Sequence, residues 1–312
     1  MVEGKDYLPY DLDDRINNTE NKVEVRYKLY ISILHDGTIE TKLEFDNNTL
    51  SHRLRLRINV LSEDGKSIAQ IQNGFNYNST KVIPEEWQKK YVEKPENIEI
   101  FDKSVSVLHD GYIFTTYFDA IKEYERKNNY LYFTLFATTG QLGKPDLEWR
   151  PGRASGDTTN EGHIMMPTPL AQETGKVYRR FAFKLDEGTF DENKIYKKSL
   201  ERLSPSISYQ SQKLNKFIYR LDNKIWPLQS DKKKLPKEYK GINLSKDYII
   251  SAIYPSYFNS AGYVIRLANP TKKTINLDKQ LIDDSKFINA LEERVDSAKI
   301  IEPYDYISLY IK

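Results

Sequence analysis

Apolar and polar residues alternate along much of the chain, which predicts strands rather than helices. Lys22 to Leu34 and Thr38 to Phe45 alternate around His35-Asp36-Gly37, and Leu54, Leu56 and Ile58 carry the period of two onward. An Asp-Gly between two such runs predicts a hairpin, because glycine supplies the positive φ that the turn requires. The same turn recurs at His109-Asp110-Gly111, between SVSVL and YIFTTYF. An internal repeat or a His-Asp catalytic pair are the sharper readings of these two sites, but neither histidine has a partner suggested by sequence, so hairpins with similar turn chemistry are preferred. Between them, Pro84 to Lys94 predicts one or two helical turns, with Pro84 suited to the first helical position. Phe118 to Arg126 is too short for its period to separate a helix from an irregular strand end.

Leu131 to Ala137 and Tyr178 to Leu185 are also strand-like. About thirty residues rich in Gly, Pro, Thr and charge separate them. So long a connection is either functional or disordered, and Trp149, Ile164, Met165 and Met166 offer apolar anchors that a solvated linker would lack. Residues 1–20 are polar and predict an entry segment or linker. Asp186 to Pro205 is again polar, and the boundaries that follow are 21–198 for a large β domain and 199–312 for a smaller one. In the smaller part, strands are predicted at Ile207–Tyr209, Phe217–Leu221, Tyr248–Tyr254, Tyr263–Ala268, Thr274–Leu277 and Ile307–Ile311. Lys286 to Val295 has a helical composition.

Composition supports the β reading. Of 312 residues, 23 are Tyr and 13 Phe, types that favour pleated, half-buried surfaces. The length suits two domains, or one large sandwich with an appendix. Lys plus Arg (47) nearly balances Asp plus Glu (45), so no global field attracts nucleic acid or an anionic membrane. The basic run Asp231 to Lys240 has acidic neighbours and a proline, and reads as a solvated loop. With no cysteine, thiol catalysis, disulfides and thiolate zinc sites are excluded. No apolar leader or eighteen-residue apolar run is present, which predicts a soluble, cytoplasmic protein; the Asn-X-Ser/Thr triplets at Asn17, Asn47, Asn78 and Asn243 would matter only after secretion.

The motifs of phosphate-binding loops, dinucleotide folds, serine hydrolases, zinc proteases and EF-hands are absent. His35, His52, His109 and His163 show no metal-ligand spacing. Paired acids for glycoside chemistry cannot be recognised from spacing, because the fold brings them together.

Several segments resemble the C-terminal β region of glycoside hydrolase family 38, the α-mannosidases and mannosylglycerate hydrolases. In the long connection these are Leu142-Gly143, Asp146-Leu147, Arg150-Pro151-Gly152, and Thr168-Pro169 with Gln172 and Gly175. Elsewhere they are Asp46-Asn47 with His52-Arg53-Leu54-Arg55, Lys122-Glu123-Tyr124-Glu125, and Tyr263 to Asn269. The resemblance implies an all-β fold, a galactose-mutarotase-like supersandwich followed by a smaller β-sandwich, and a strand rather than a helix at Lys286–Val295. In that family the zinc ligands and the Asp nucleophile of a retaining mechanism lie in an N-terminal catalytic domain. No His here is followed two residues later by Asp, as in the family's zinc motif, so nothing in this chain matches those residues.

The resemblance therefore implies a non-catalytic portion with no cofactor or metal of its own. Its partners would be the N-terminal catalytic domain, which would carry zinc, and a mannose-containing carbohydrate, with homo-oligomer formation left open. Arg150, Arg153, Asp157 and His163 are the candidate substrate-binding residues at a pocket rim, since guanidinium and carboxylate groups on a long loop bond sugar hydroxyls or a glycerate carboxylate. The bland alternative is that Arg150 and Arg153 only brace the loop's own carbonyls. Two other functions compete: a stand-alone carbohydrate-binding or scaffolding protein, and a mutarotase-like enzyme with a convergent His and Glu.

Overall fold

The computed structural model describes the whole chain except residues 92–93, 143–165, 204–243, 245–246 and 260. It divides into two compact units. Unit 1 comprises Met1–Leu203 with Asn269–Lys273 and Pro303–Asp305; unit 2 comprises Ser204–Ala268, Thr274–Glu302 and Tyr306–Lys312.

Unit 1 is a sandwich of two antiparallel sheets. The larger runs in the order β1 (Val2–Pro9), β2 (Lys22–Ile33), β3 (Ile39–Asn47), β14 (Gly175–Glu187), β9 (Tyr112–Phe118), β8 (Ser104–His109), β5 (Lys66–Ile71) and β6 (Gly74–Ser79). The smaller runs β4 (Arg53–Asn59), β11 (Tyr130–Ala137), β10 (Glu123–Lys127), β7 (Ile98–Ile100). Alternation along each strand sends one set of side chains between the sheets. Val25, Phe45, Val105, Val107, Phe118 and Phe181 come from the large sheet, and Tyr124, Leu131, Phe133 and Leu135 from the small one. Phe118 and Phe133 join the layers, with ring centroids 4.2 Å apart.

The two Asp-Gly turns differ. Asp110 and Gly111 both have positive φ, 47° and 79°, and join β8 to β9 as a two-residue connection of the mirror-image type that matches strand twist. The first is longer. Leu34 to Thr38 lie between the strands, the Leu34 N–H donates to the Thr38 carbonyl at 2.8 Å, and only Gly37 has positive φ, 78°. His109 Nε2 is 3.4 Å from Asp110, at an exposed turn.

Several predicted elements take another form. Residues 1–20, read as an entry segment or linker, form β1, paired from Val2↔Leu29 to Pro9↔Lys22, and a short helix α1 (Leu12–Asn17) capped by Asp11. Their polarity is that of an edge strand with little to bury. Phe118 ends β9, the chain turns at Asp119-Ala120 (Ala120 φ 62°), and β10 begins at Glu123. Within the polar stretch 186–205 lies helix α2 (Glu192–Leu203), which buries Ile195, Tyr196 and Ser199 on one face. Its Arg202 reaches back to Asp36 at 3.1 Å and Glu40 at 3.3 Å. Among the described residues of Pro84–Lys94, one 3-10 turn forms at Trp87–Lys89, with Trp87 buried.

Unit 2 carries the sheet β15 (Ile249–Pro255), β16 (Tyr263–Ala268), β20 (Tyr306–Ile311), β18 (Ser285–Ile288) and the pair β17 (Ile275–Asn276) and β19 (Ile300–Ile301). Ile265, Leu267, Phe287, Ile301 and Leu309 form its core. The helical composition of Lys286–Val295 is overridden. Phe287 and Ile288 are buried opposite Leu309 and Ser308 in a ladder, and the residues after them turn, with the Val295 N–H bonded back to the Phe287 carbonyl at 3.0 Å. The helix α3 lies earlier, at Lys279–Asp284. The strand implied by the resemblance covers Lys286–Ile288 only. Ile207–Tyr209, Phe217–Leu221 and the basic run Asp231–Lys240 lie outside the described residues. The fold is all-β: a two-sheet supersandwich and a smaller two-layer β unit.

Candidate functional site: the root of the long connection

The long connection leaves β11 at Ala137 and returns at Gly175. Its proposed sugar-contacting residues, Arg150, Arg153, Asp157 and His163, lie outside the described residues, as do Trp149, Ile164 and Met165. Met166, expected to be an apolar anchor, is instead exposed in β13 (Met166–Pro167), which pairs with β12 (Gln141–Leu142). Two residues a side cannot hold such a connection on their own. The hold comes from polar side chains beneath it.

Asn47, at the end of β3, is fully buried. Its amide donates to the carbonyls of Gln172 (3.0 Å) and Glu173 (2.9 Å), and its oxygen accepts from the Thr49 N–H at 3.3 Å. Gln172, 6% exposed, accepts from the Ser51 N–H at 2.7 Å and donates to Ser51 Oγ at 3.0 Å. Thr168 bonds the other arm: its N–H donates to the Gly140 carbonyl (2.9 Å) and its Oγ1 to the Thr139 carbonyl (2.9 Å). Each buried polar atom named here has a partner, as burial demands. A Cβ on Gly140 would come within 2.8 Å of Gln172 Nε2 and 3.0 Å of Ser51 Oγ. A side chain here would push Gln172 and Ser51 out of the positions in which they bond each other.

The motif Thr-Pro-x-x-Gln-x-x-Gly is thereby explained residue by residue. Thr168 clips the arms. Pro169 opens a short 3-10 turn, where a missing N–H costs nothing, Gln172 ties that turn to Ser51, and Gly175 takes φ +106° to enter β14. The segment 46–55, more than a hundred residues earlier, supplies the other half of the clasp. His52 Nδ1 shares a hydrogen bond with Thr49 Oγ1 at 2.9 Å and stands edge-on to Phe136, centroids 5.3 Å apart. Burial, and then the nearby Arg15 cation, hold the imidazole pKa below its ordinary value.

The remaining motif pieces pair as well. Arg53 binds Glu123, and Arg55 binds Glu125 at 2.5 Å, reaching across β11 to β10. Thr134 on β11 accepts from Arg53 Nε at 2.9 Å and donates to Glu123 at 2.6 Å. Arg55 also lies over the Tyr132 ring at 4.8 Å. Between the two glutamates, Tyr124 points inward, its hydroxyl bonded to Ser67 (2.9 Å) and Asn78 (2.8 Å). The Arg-Leu-Arg and Glu-Tyr-Glu segments are thus two sides of one sheet face. In unit 2, Arg266 of the Val-Ile-Arg-Leu strand lies over Tyr306 at 5.2 Å.

Among the described residues, no group of three or more His, Asp and Glu is placed to hold a metal ion, and no helix is long and apolar enough to cross a membrane. The described motif residues build and brace; none forms a constellation of nucleophile, acid and base.

No protein-family model matches the chain, and no curated protein matches it in sequence. Solved structures do. The chain is similar over its entire length to an α-mannosidase from Enterococcus faecalis V583, with a TM-score of 0.69 and 14% identity. It is likewise similar over 99% of its length to a protein of glycosyl hydrolase family 38 from Enterococcus faecalis, with a TM-score of 0.67 and 14% identity. The chain covers 33% and 34% of those chains, about a third of their length. At this identity the likeness is one of fold.

Proposed function

We propose that this chain is the non-catalytic C-terminal β portion of a family 38 glycoside hydrolase that cleaves α-mannosides, packing on and completing an N-terminal catalytic domain. The observation that carries the reading is the full-length match to one third of an α-mannosidase, joined to a clasp that fixes the root of a long connection in the fold. A rigid two-sheet scaffold presenting a tied loop suits the rim of a pocket whose floor another domain provides. The zinc and the carboxylate nucleophile of the retaining reaction are assigned to that other domain. Arg150, Arg153, Asp157 and His163 are assigned to contacts with sugar hydroxyls, as donors and acceptors rather than as groups that break a bond.

The test is an assay of the chain on an aryl α-mannoside with zinc, alone and when joined to the protein encoded upstream of Met1. Turnover confined to the joined protein, with Arg153→Ala raising KM there, is the expected result. Robust turnover by the chain alone, or an upstream sequence without a catalytic domain, would sink the proposal.

A further inference from the structure

β9 pairs with β14 only from Phe181↔Phe118 onward, whereas β14 pairs with β3 along Gly175 to Phe183. Past Phe118 the chain turns at Asp119-Ala120 and drops toward the small sheet, burying Ile121. A notch of about 480 Å³ is left beside the uncovered stretch of β14, lined by Lys42, Asp119, Ala120, Tyr178, Arg179 and Arg180. It is an open notch rather than an enclosed cavity, so a ligand held there keeps one side in solvent.

The strand registers place an ordered row on the outward face of the sheet: Tyr30 opposite Lys42, and Lys42 opposite Arg180. Arg180 ends the row on Asp119, 2.9 Å away. In the adjoining row, Glu44 stands opposite Tyr178. Lys42 lies over the rings of both Tyr30 and Tyr178, at 5.4 Å and 5.3 Å, while bonded to Glu44 at 2.7 Å. Tyr178, beside this ammonium, is 50% exposed.

Charge decides what kind of ligand fits. Each of the three cations has its own carboxylate: Lys42 has Glu44, Arg179 has Glu173 at 3.3 Å, and Arg180 has Asp119. An anion would have to displace a carboxylate and gains no net field. A neutral polyol needs donors and acceptors side by side, which the Arg180–Asp119 pair supplies, since guanidinium only donates and carboxylate only accepts. The C–H face of a pyranose is apolar and slightly positive, and it suits the negative face of Tyr178.

From these features we infer that the notch is a binding site for a neutral pyranoside, with Tyr178 as the stacking platform and Arg180 and Asp119 as partners of adjacent hydroxyls. The inference does not depend on the catalytic reading. It is tested on this chain by titrating methyl α-D-mannopyranoside and methyl α-D-glucopyranoside while following backbone amide resonances. Saturable shifts from either sugar, confined to Lys42, Asp119, Ala120 and Tyr178–Arg180, are expected. Tyr178→Ala should weaken binding about fivefold, the worth of one ring contact, while Tyr178→Phe should retain it. Absence of shifts at the notch with both sugars would overturn the inference. So would indifference to Tyr178→Ala, or inorganic phosphate moving the same amides at lower concentration. The mannoside turnover assay reports separately, so failure of one leaves the other standing.

Discussion

Asn47→Ala is the sharpest test of the clasp. The substitution removes two donors at 2.9–3.0 Å from the carbonyls of Gln172 and Glu173, and the acceptor for Thr49. Because Asn47 is fully buried, water does not simply replace the lost partner. Each hydrogen bond contributes about 1 kcal/mol net, and a buried group left without a partner costs about 1–3 kcal/mol. With the small cavity added, about 3 kcal/mol is expected. For a unit of this size that corresponds to a fall in Tm of roughly 6–12 °C. The loss should begin locally: hydrogen exchange at the Thr168 and Ala171 amides, which bond the Gly140 and Thr168 carbonyls, should lose protection before the sandwich core does. The control is Asn76→Ala, at an exposed position of β6. If Asn47→Ala moves Tm no more than that control, or if exchange at residues 168–172 is unchanged, the clasp is not what holds the root.

Gly140→Ala should act on the same point by another route, pushing a methyl against Gln172 and Ser51; about 1–3 kcal/mol is expected by urea unfolding, as for other overpacked sites. Phe133, fully buried between the sheets, should cost about 3–5 kcal/mol as Phe133→Ala, read as a drop in the denaturation midpoint. His52 makes stability depend on pH. Its folded pKa is depressed below the ordinary 6.5, so the unfolded chain binds more protons just below that pH. Its stabilising contribution is then complete above 6.5 and falls as pH drops below it toward the folded pKa. The measurement is Tm against pH between about 7.5 and 5, where His52→Gln should show a shallower decline than the parent; parallel curves would refute the assignment. The pair Arg55 and Glu125 is only partly exposed, and a double-mutant cycle should return a coupling of about 0.5–1 kcal/mol.

Alternation and turn chemistry were enough to read most strands of the supersandwich, because a strand that buries one face must repeat every two residues. The sequence also carried the marks of the clasp. Asn47, Gln172 and Gly175 belong to segments that could be named as a family resemblance from residue order alone. What order did not reveal is that these segments touch. Asn47 and Gln172 are 125 residues apart, and only the antiparallel pairing Gly175↔Asn47 brings them together. The same holds for Arg53 with Glu123 and Arg55 with Glu125, joined across β11. Helix α2 carries Ile195, Tyr196, Leu200 and Leu203 at helical spacing, but among so many charged residues that the stretch reads as polar. Tertiary cover, not composition, makes that face sufficient.

The notch at Tyr178 was invisible for a stronger reason. It exists because β9 stops pairing one residue before Asp119, and no local pattern in either strand records where a neighbour departs. Sequence by itself determined the β periodicity and the turns, since these depend on each residue's own geometry. Tertiary structure alone decided which distant polar groups share a hydrogen bond and where the large sheet opens, because register between strands is set by the packing of the whole core.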